Sequence, residues 1–347
     1  MEAAKRRLIT IPIVFITACL FVGLLPGWLF IALGVDAVRW IQHRTPFAVT
    51  RLVLFGAVYL VAQVVGIASL FGAWLLGGFG AGARARLHRR TYTIQRAWVA
   101  VLFGAMRRIW GVRVELTGEE ELGAAPGGPL IVLMQHTSLV DTLLPTTYLT
   151  ARRGLKLRWV LKKELLVDPC LDIAGLRLPN AFVGRDGSET GKALARLRQL
   201  ATELPGDEGV LIYPEGTRFT PSKQRRALAR IAEGAPEYLD AATALRRVLP
   251  PRLGGPLALI EAAPEADLVF IGHIGFEGLA SLKSILSGDL VGRVVRLRFW
   301  RFTRASVPTD KAALVAWLWA RWAALDAWVD AEVLSEGVAL DHKGERP

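Results

Sequence analysis

Two stretches of this chain contain no charged side chain, Leu8–Val35 and Leu52–Phe79, each 28 residues long. As a straight helix such a stretch measures ~42 Å at ~1.5 Å per residue. A bilayer's hydrocarbon core is ~30 Å thick, so each stretch can cross it with tilt or lie partly in the interface. Pro12 and Pro26 fall inside the first and are expected to kink it. Hydrophobic residues make up 52% of the 347-residue chain. These runs place the chain at a membrane and predict a two-helix hairpin within residues 1–90.

Charge sets the orientation expected for that hairpin. Lys5, Arg6 and Arg7 precede the first stretch, and Arg84, Arg86, Arg89 and Arg90 follow the second. Basic flanks favour both ends on the cytoplasmic side, with a short loop outside, as in a bacterial inner membrane. That loop itself holds Arg39, Arg44 and Arg51. A hairpin embedded from one leaflet, which keeps these arginines cytoplasmic, therefore stays open. Ile16-Thr17-Ala18-Cys19 is similar to a lipoprotein cleavage site, but Leu20-Phe21-Val22 continues the apolar run where a mature lipoprotein turns polar. Cys19 and Cys170 are the only cysteines, so no disulfide framework is implied and a reducing compartment fits.

The formal net charge is +12, from 43 Lys+Arg against 31 Asp+Glu. No helix-turn-helix, zinc spacing or aromatic RNA-binding signature accompanies it, so no nucleic-acid partner is expected. Ala37–Val114 instead contains eleven arginines and no acid. Arg84 through Arg113 form a belt suited to anionic membrane lipids, at ~1 kcal/mol per surface arginine.

The remainder reads as one α/β domain over residues 91–308, followed by a Trp-rich helix and polar tail over 309–347. Apolar runs predict strands at Val112–Leu116, Leu130–Met134, Leu155–Leu161, Asn180–Val183, Val210–Tyr213, Leu268–Ile274 and Val294–Trp300. Helical patterns between them, notably Thr190–Leu204, imply a central mixed, mostly parallel sheet flanked by helices. Residues 219–248, rich in Ala and Arg, predict surface helices. In Asp310–Leu334, Leu314, Leu318, Trp322, Leu325 and Val329 make one apolar stripe for packing on the sheet. Trp317 and Trp319 lie off it; packing in the core is the leading reading for this helix, and indoles at headgroup level are the alternative.

The run Leu130–Met134 leads directly into Gln135-His136-Thr137-Ser138-Leu139-Val140-Asp141. Strand ends of parallel sheets are where chemistry is commonly placed. A histidine there, with a carboxylate five residues on, suits a base held in one tautomer. A second apolar run, Val210–Tyr213, ends in Pro214-Glu215-Gly216-Thr217-Arg218, pairing a glycine for close backbone approach with a planar guanidinium suited to phosphate. Between them, Asn180-Ala181-Phe182-Val183-Gly184-Arg185 delivers another arginine.

In this order and spacing, the three blocks resemble those of the glycerolipid acyltransferase superfamily, over roughly residues 112–302. Gln135 stands where that family often has Asn, and Leu178-Pro179-Asn180 replaces a Gly-x-x-Phe opening. Leu249-Pro250-Pro251-Arg252-Leu253-Gly254-Gly255 is similar to a Pro-Arg-x-Gly stretch of a larger, more basic branch, less uniform in its choice of lysophospholipid. The fourth-block proline is not evident in Val269–His273.

The resemblance implies transfer of a fatty acyl group from a thioester, acyl-CoA or acyl-acyl carrier protein, to a lysophospholipid hydroxyl. The leading assignment is 1-acylglycerol-3-phosphate to phosphatidic acid, and another lysophospholipid headgroup is the alternative. It makes His136 the base, Asp141 its orienting acid, and Arg185 and Arg218 the phosphate clamp. Gly216 and Thr217 would add backbone or hydroxyl contacts, and Glu215 would fix Arg218 or a backbone turn. Lys162 and Lys163 face the same charge or solvent. Ser138 is not expected to be a nucleophile, since direct transfer is implied.

Two other classes fit less well. A thioesterase or lipase expects a Gly-x-Ser-x-Gly elbow, which the chain lacks, and a non-catalytic membrane scaffold leaves the motifs unexplained. No metal set is expected, because His43, His88, His273 and His342 are scattered, and His273 reads as a core histidine within an apolar strand. No dinucleotide fingerprint is present and no cofactor beyond the acyl co-substrate is expected.

Overall fold

Each apolar run expected to be a strand is one in the computed structural model, within two residues at either end. The structure describes residues 2–77, 80, 82–125, 127–138, 140–184, 191–276 and 282–344, without the side chains of 282 and 336–344. Four helices come first, α1 (Glu2–Gly23), α2 (Leu25–His43), α3 (Ala48–Leu75) and α4 (Ala83–Trp110). Then follow β1 (Arg113–Thr117), β2 (Leu130–Met134), α5 (Leu143–Pro145), β3 (Lys156–Lys162), α6 (Pro169–Arg177) and β4 (Ala181–Val183). Next are α7 (Gly191–Ala201), β5 (Glu208–Ile212), α8 (Pro221–Gly234), α9 (Leu239–Ala244) and α10 (Gly254–Ala262). The chain ends with β6 (Asp267–Ile274), α11 (Leu282–Ser287), β7 (Val294–Phe302) and α12 (Lys311–Gly344). The fold is a mixed, mostly parallel sheet with helices, preceded by apolar helices.

Two compact units divide the chain. One comprises residues 114–141, 186–277 and 295–347, and its strands run in the order β1-β7-β6-β2-β5. β2 is parallel to both neighbours, with Val132 opposite Leu211 and Val269, while β7 is antiparallel to β6. All five β2 residues are buried, as expected of a strand covered on both faces. The stripe of α12 is buried at every position from Leu314 to Val329, each large side chain contributing roughly 1.5–3 kcal/mol. α12 lies against β6 at Gly272, where a Cβ would meet Trp328 at 3.0 Å.

Trp317 and Trp319 do not stand out at a headgroup level. Trp317 packs edge-on against Phe302 and Phe270, and Trp319 is buried and stacked on Tyr238 at 5.5 Å. The aromatic residues of β6, β7 and the 236–238 turn complete a surface that the stripe alone does not cover. Residues 219–248 form α8 and α9 as expected.

The other unit comprises residues 1–113, 142–185 and 278–294. Buried acids join its helices. Asp36 of α2 accepts from the backbone N–H groups of Val49 (3.1 Å) and Thr50 (2.8 Å), capping α3, which has no side-chain cap of its own. Asp168 caps α6 through Leu171 N and takes bonds from Tyr59 and Gln63 of α3. Asp172, fully buried in α6, receives Arg6 at 2.7 Å and Arg7 at 3.1 Å from α1. An apolar cluster of Ile67, Leu70, Cys170, Ile173 and Ala174 closes the same contact. β3 and β4 pair in parallel.

The first uncharged stretch is two helices, not one. It breaks at Leu24, two residues before Pro26, whose ring lacks an N–H and suits the first turn of α2. α1 and α3 are long and apolar enough to cross a membrane by length and composition. On α1 and α2 the apolar side chains face outward, Leu8 and Phe30 being 76% and 80% exposed. So large an apolar face on the outside marks a lipid or partner surface.

Candidate active site

The sheet ladder continues one residue past β2, because Gln135 N donates to Ile271 O at 3.1 Å. The Gln135 side chain, 1% exposed, accepts from His273 N at 3.1 Å, so it ties β2 to β6. His136 is then the first residue released from the ladder. The chain folds back at once, and Asp141 returns beneath it. His136 Nδ1 lies 3.1 Å from Asp141 Oδ2. The carboxylate is an acceptor, so Nδ1 carries the hydrogen and Nε2 keeps the lone pair. The imidazole remains 15% exposed while Asp141 is fully buried, so the reactive nitrogen is on the accessible partner.

Asp141 does more than hold the ring. Its Oδ2 also accepts from Thr137 N (2.6 Å) and Ser138 N (2.8 Å). Its Oδ1 accepts from Ser138 Oγ (2.6 Å) and Thr137 Oγ1 (3.3 Å). The Ser138 hydroxyl is buried and donates to this carboxylate. Burial alone would push the Asp141 carboxyl up, but His273 and His136 outweigh it and hold it well below the usual carboxylate range. The stability from this pairing is therefore present above the ordinary carboxylate pKa, and is lost as pH falls toward the depressed one.

Glu215 has the opposite environment. It is 2% exposed, accepting from His136 N at 3.1 Å and Leu249 N at 3.4 Å. Burial pushes its carboxyl well above the usual range, and the two backbone donors do not restore it against Asp141 and Asp326. The sign is reversed here. Its contribution is full below the ordinary carboxylate pKa and lost as pH rises through the raised one. Glu215 thus fixes backbone, one of the two roles expected of it, and its carboxyl oxygens are directed at His136 and Leu249. Tyr213, at the end of β5, sets its ring 4.5 Å from the imidazole.

Gly216 turns at φ +66°, a left-handed conformation in which an L side chain is strained, and bonds back to Tyr213 O. Thr217 and Arg218 follow, both partly exposed. Phe219 N then reaches His136 O at 3.4 Å, stitching this block to the histidine strand. Among the described residues no carboxylate pairs with Arg218 or Lys223, whose Nζ donates to Arg218 O at 3.1 Å. Arg185 lies outside the described residues. Lys162 and Lys163 are exposed at the end of β3. No group of three or more His, Cys, Asp or Glu fit to hold a metal ion occurs among the described residues.

Residues 113–254 match the family model described as Acyltransferase. Over 244 residues the chain is 24% identical to lysocardiolipin acyltransferase 1 of Danio rerio, covering 67% of this chain and 59% of that protein. Residues 113–254 are thus similar to an acyltransferase domain. It spans less than two thirds of the length of that relative. Among solved structures, it is similar to the 1-acyl-sn-glycerophosphate (LPA) acyltransferase PlsC of Thermotoga maritima, with a TM-score of 0.48 and 14% identity. That match covers 82% of this chain and 96% of the other.

Several supports of the candidate site escape a reading of its motifs. Gln135 differs from the family's common Asn yet has a definite bond to β6. Asp326 of α12, nearly buried, accepts from the N–H groups of Arg246, Arg247 (2.7 Å) and Val248 (2.9 Å). Trp322 Nε1 adds a bond to Leu249 O at 3.0 Å. α12 therefore clamps the segment whose next N–H meets Glu215. The only sequence signal for this was an Asp inside an apolar helical pattern.

Asp326→Ala strands those donors, and one unsatisfied buried donor costs ~1–3 kcal/mol. The expected result is a drop of about 3 kcal/mol in unfolding free energy, followed by tryptophan emission in denaturant. An unchanged midpoint would show that α12 is not the clamp.

Proposed function

We propose that this acyltransferase moves a fatty acyl group from a thioester to the free glycerol hydroxyl of a phosphate-bearing lysophospholipid. The foremost acceptor is 1-acylglycerol-3-phosphate, which gives phosphatidic acid. The observation that carries this reading is the accessible His136 imidazole, pinned through Nδ1 by buried Asp141 at a strand end stitched to the Arg218 block. Its Nε2 accepts the hydroxyl proton as the oxygen attacks the thioester carbonyl. The C–S bond then breaks, and the proton passes from the imidazolium to the departing sulfur. Asp141 stabilises that cation throughout without taking its proton, as in a Ser-His-Asp site. The substrate hydroxyl plays the serine's part, so no acyl-enzyme forms. Arg218, with Arg185, holds the acceptor phosphate, and Thr217 and the Gly216 backbone line the approach.

Acyl-CoA and acyl-acyl carrier protein both fit the donor role. A second reading takes another lysophospholipid headgroup. It is favoured by the similarity to a protein named lysocardiolipin acyltransferase and by the Pro-Arg-x-Gly-like stretch at Arg252. Purified protein offered a panel of lysophospholipids with each donor, with mass spectrometry of the products, separates these readings. Acyl release into water with no acylated lipid would overturn both.

The N-terminal helices hold the enzyme on a membrane, in this proposal the cytoplasmic face of a bacterial inner membrane, with basic residues toward anionic lipids. Embedding from one leaflet is the better supported form. The tip between α1 and α2 is apolar, with Leu24 57% exposed. Both far ends are tied to the same unit, Arg6 to Asp172, Arg39 to Leu286 O, and Arg51 to Ile109 O. A fully crossing helix would separate its ends by the ~30 Å hydrocarbon core.

Three outcomes test these statements. His136→Ala should fold normally and lower turnover by ~10²–10⁴-fold, the usual worth of a positioned base, and Asp141→Asn should impair it by favouring the wrong tautomer. Near-normal transfer in His136→Ala removes the mechanism. Arg218→Lys should lower kcat/KM roughly ten- to a hundredfold, since hydrogen bonds to charged groups contribute ~1.5–3 kcal/mol. The change should fall mainly on the KM for the lysolipid, and a defect confined to the donor moves Arg218 out of the acceptor site. A cysteine replacing Arg44 should react with an impermeant reagent only from the side that labels one replacing Glu265. Labelling from the opposite side establishes a full crossing.

A further inference from the structure

We propose that His273 is a positioning residue of the acyl-transfer site, a second imidazole that shares one Asp141 carboxylate oxygen with His136 and so takes part of that anion's charge from the base. The proposal rests on the reading of His136 as that base. In sequence, His273 is an unremarkable member of an apolar strand. In the structure its side chain is completely buried, with Nε2 3.5 Å from Asp141 Oδ2, the same oxygen that faces His136 Nδ1.

The placement is built rather than incidental. Gln135 binds the backbone N–H of His273 through its side chain, and its own N–H extends the β2–β6 ladder. The residue before the base thereby fixes where the second imidazole stands. Burying an imidazole in an apolar interior is unfavourable unless a partner compensates its lost hydration. Asp141 is an anion with no exposure, and it is that partner. Burial would raise the Asp141 carboxyl, and His273 is the largest influence opposing it, ahead of His136.

β7 sets Leu297 opposite His273, while Arg296 and Arg298 fall on the other face of the pleat. Phe276 meets the ring edge-on at 5.9 Å. From β5 and the turn after it, Tyr213 and Glu215 act on Asp141, and His136 lies on that carboxylate too. One carboxylate oxygen thus sits between two imidazoles. Positive character on either lowers the benefit available to the other.

The sign of the test follows. Removing His273 leaves the Asp141 charge less neutralised, so the His136 cation is better stabilised. In His273→Leu, on the full chain in lipid nanodiscs, the acid limb of kcat/KM should move to higher pH by roughly 0.5–1 unit. NMR titration of labelled His136 without substrate should move the same way. His273→Gln keeps an N–H donor near Nε2 and should return both midpoints toward wild type. Unmoved midpoints in a folded His273→Leu protein, or in a His273→Ala protein if that one folds better, overturn the proposal and leave His136 as the base. Wild-type transfer with no acid limb tied to the His136 titration overturns the underlying reading instead.

Discussion

An ionised carboxylate with no solvent exposure, Asp141, is the constraint on which the candidate site depends. Moving such a charge out of water costs several kcal/mol even after relaxation. It is tolerated only where donors surround it. Two backbone N–H groups, two hydroxyls and His136 converge on its oxygens within 3.3 Å. Satisfying them brings Asp141 back under Thr137 and Ser138, and that return sets the imidazole at the strand end, still 15% exposed. The geometry of the base is thus a by-product of solving a burial problem.

The return would be useless if the strand end moved. β2 is held by parallel ladders on both sides, and its exit is fixed from two directions. Gln135 fastens it to β6, and Glu215 receives the His136 N–H from the turn after β5. Glu215 in turn depends on Leu249, whose segment is capped by Asp326 and Trp322 of α12. Two buried acids near one histidine therefore have opposite tasks. Asp141 stays charged because imidazoles face it, while burial pushes the Glu215 carboxyl up. Environments that separate two carboxyl groups in this way let one stabilise a developing cation while the other supports the backbone.

What was legible in the sequence follows the range of the interactions. Strands could be read because a buried parallel strand must be apolar along its length, as Leu130–Met134 is. The His136–Asp141 pair could be read because its bond spans only five positions. The Gln135–His273 bond joins residues 138 positions apart, and no local pattern encodes sheet register at that distance. His273 accordingly looked like core, and burial is all that an apolar flank can show. The break at Leu24 was hidden for a different reason. Uncharged residues stand on both sides of it, so only Pro26 marked the turn. Trp317 and Trp319 left two readings because an aromatic off the stripe suits a lipid interface and an aromatic neighbour alike, and the structure has the neighbour.

The same logic accounts for the charge of the unit that holds the N-terminal helices. Its surplus of arginine is not simply a count of basic residues, because acids there are used internally. Asp36 caps α3, Asp168 caps α6 and binds α3, and Asp172 takes Arg6 and Arg7. Each replaces water at a helix end or cation that packing would otherwise leave unsatisfied. Acids drawn inward cannot offset arginines at the surface. A helix group whose acids hold its own ends together leaves apolar side chains and positive charge to face outward.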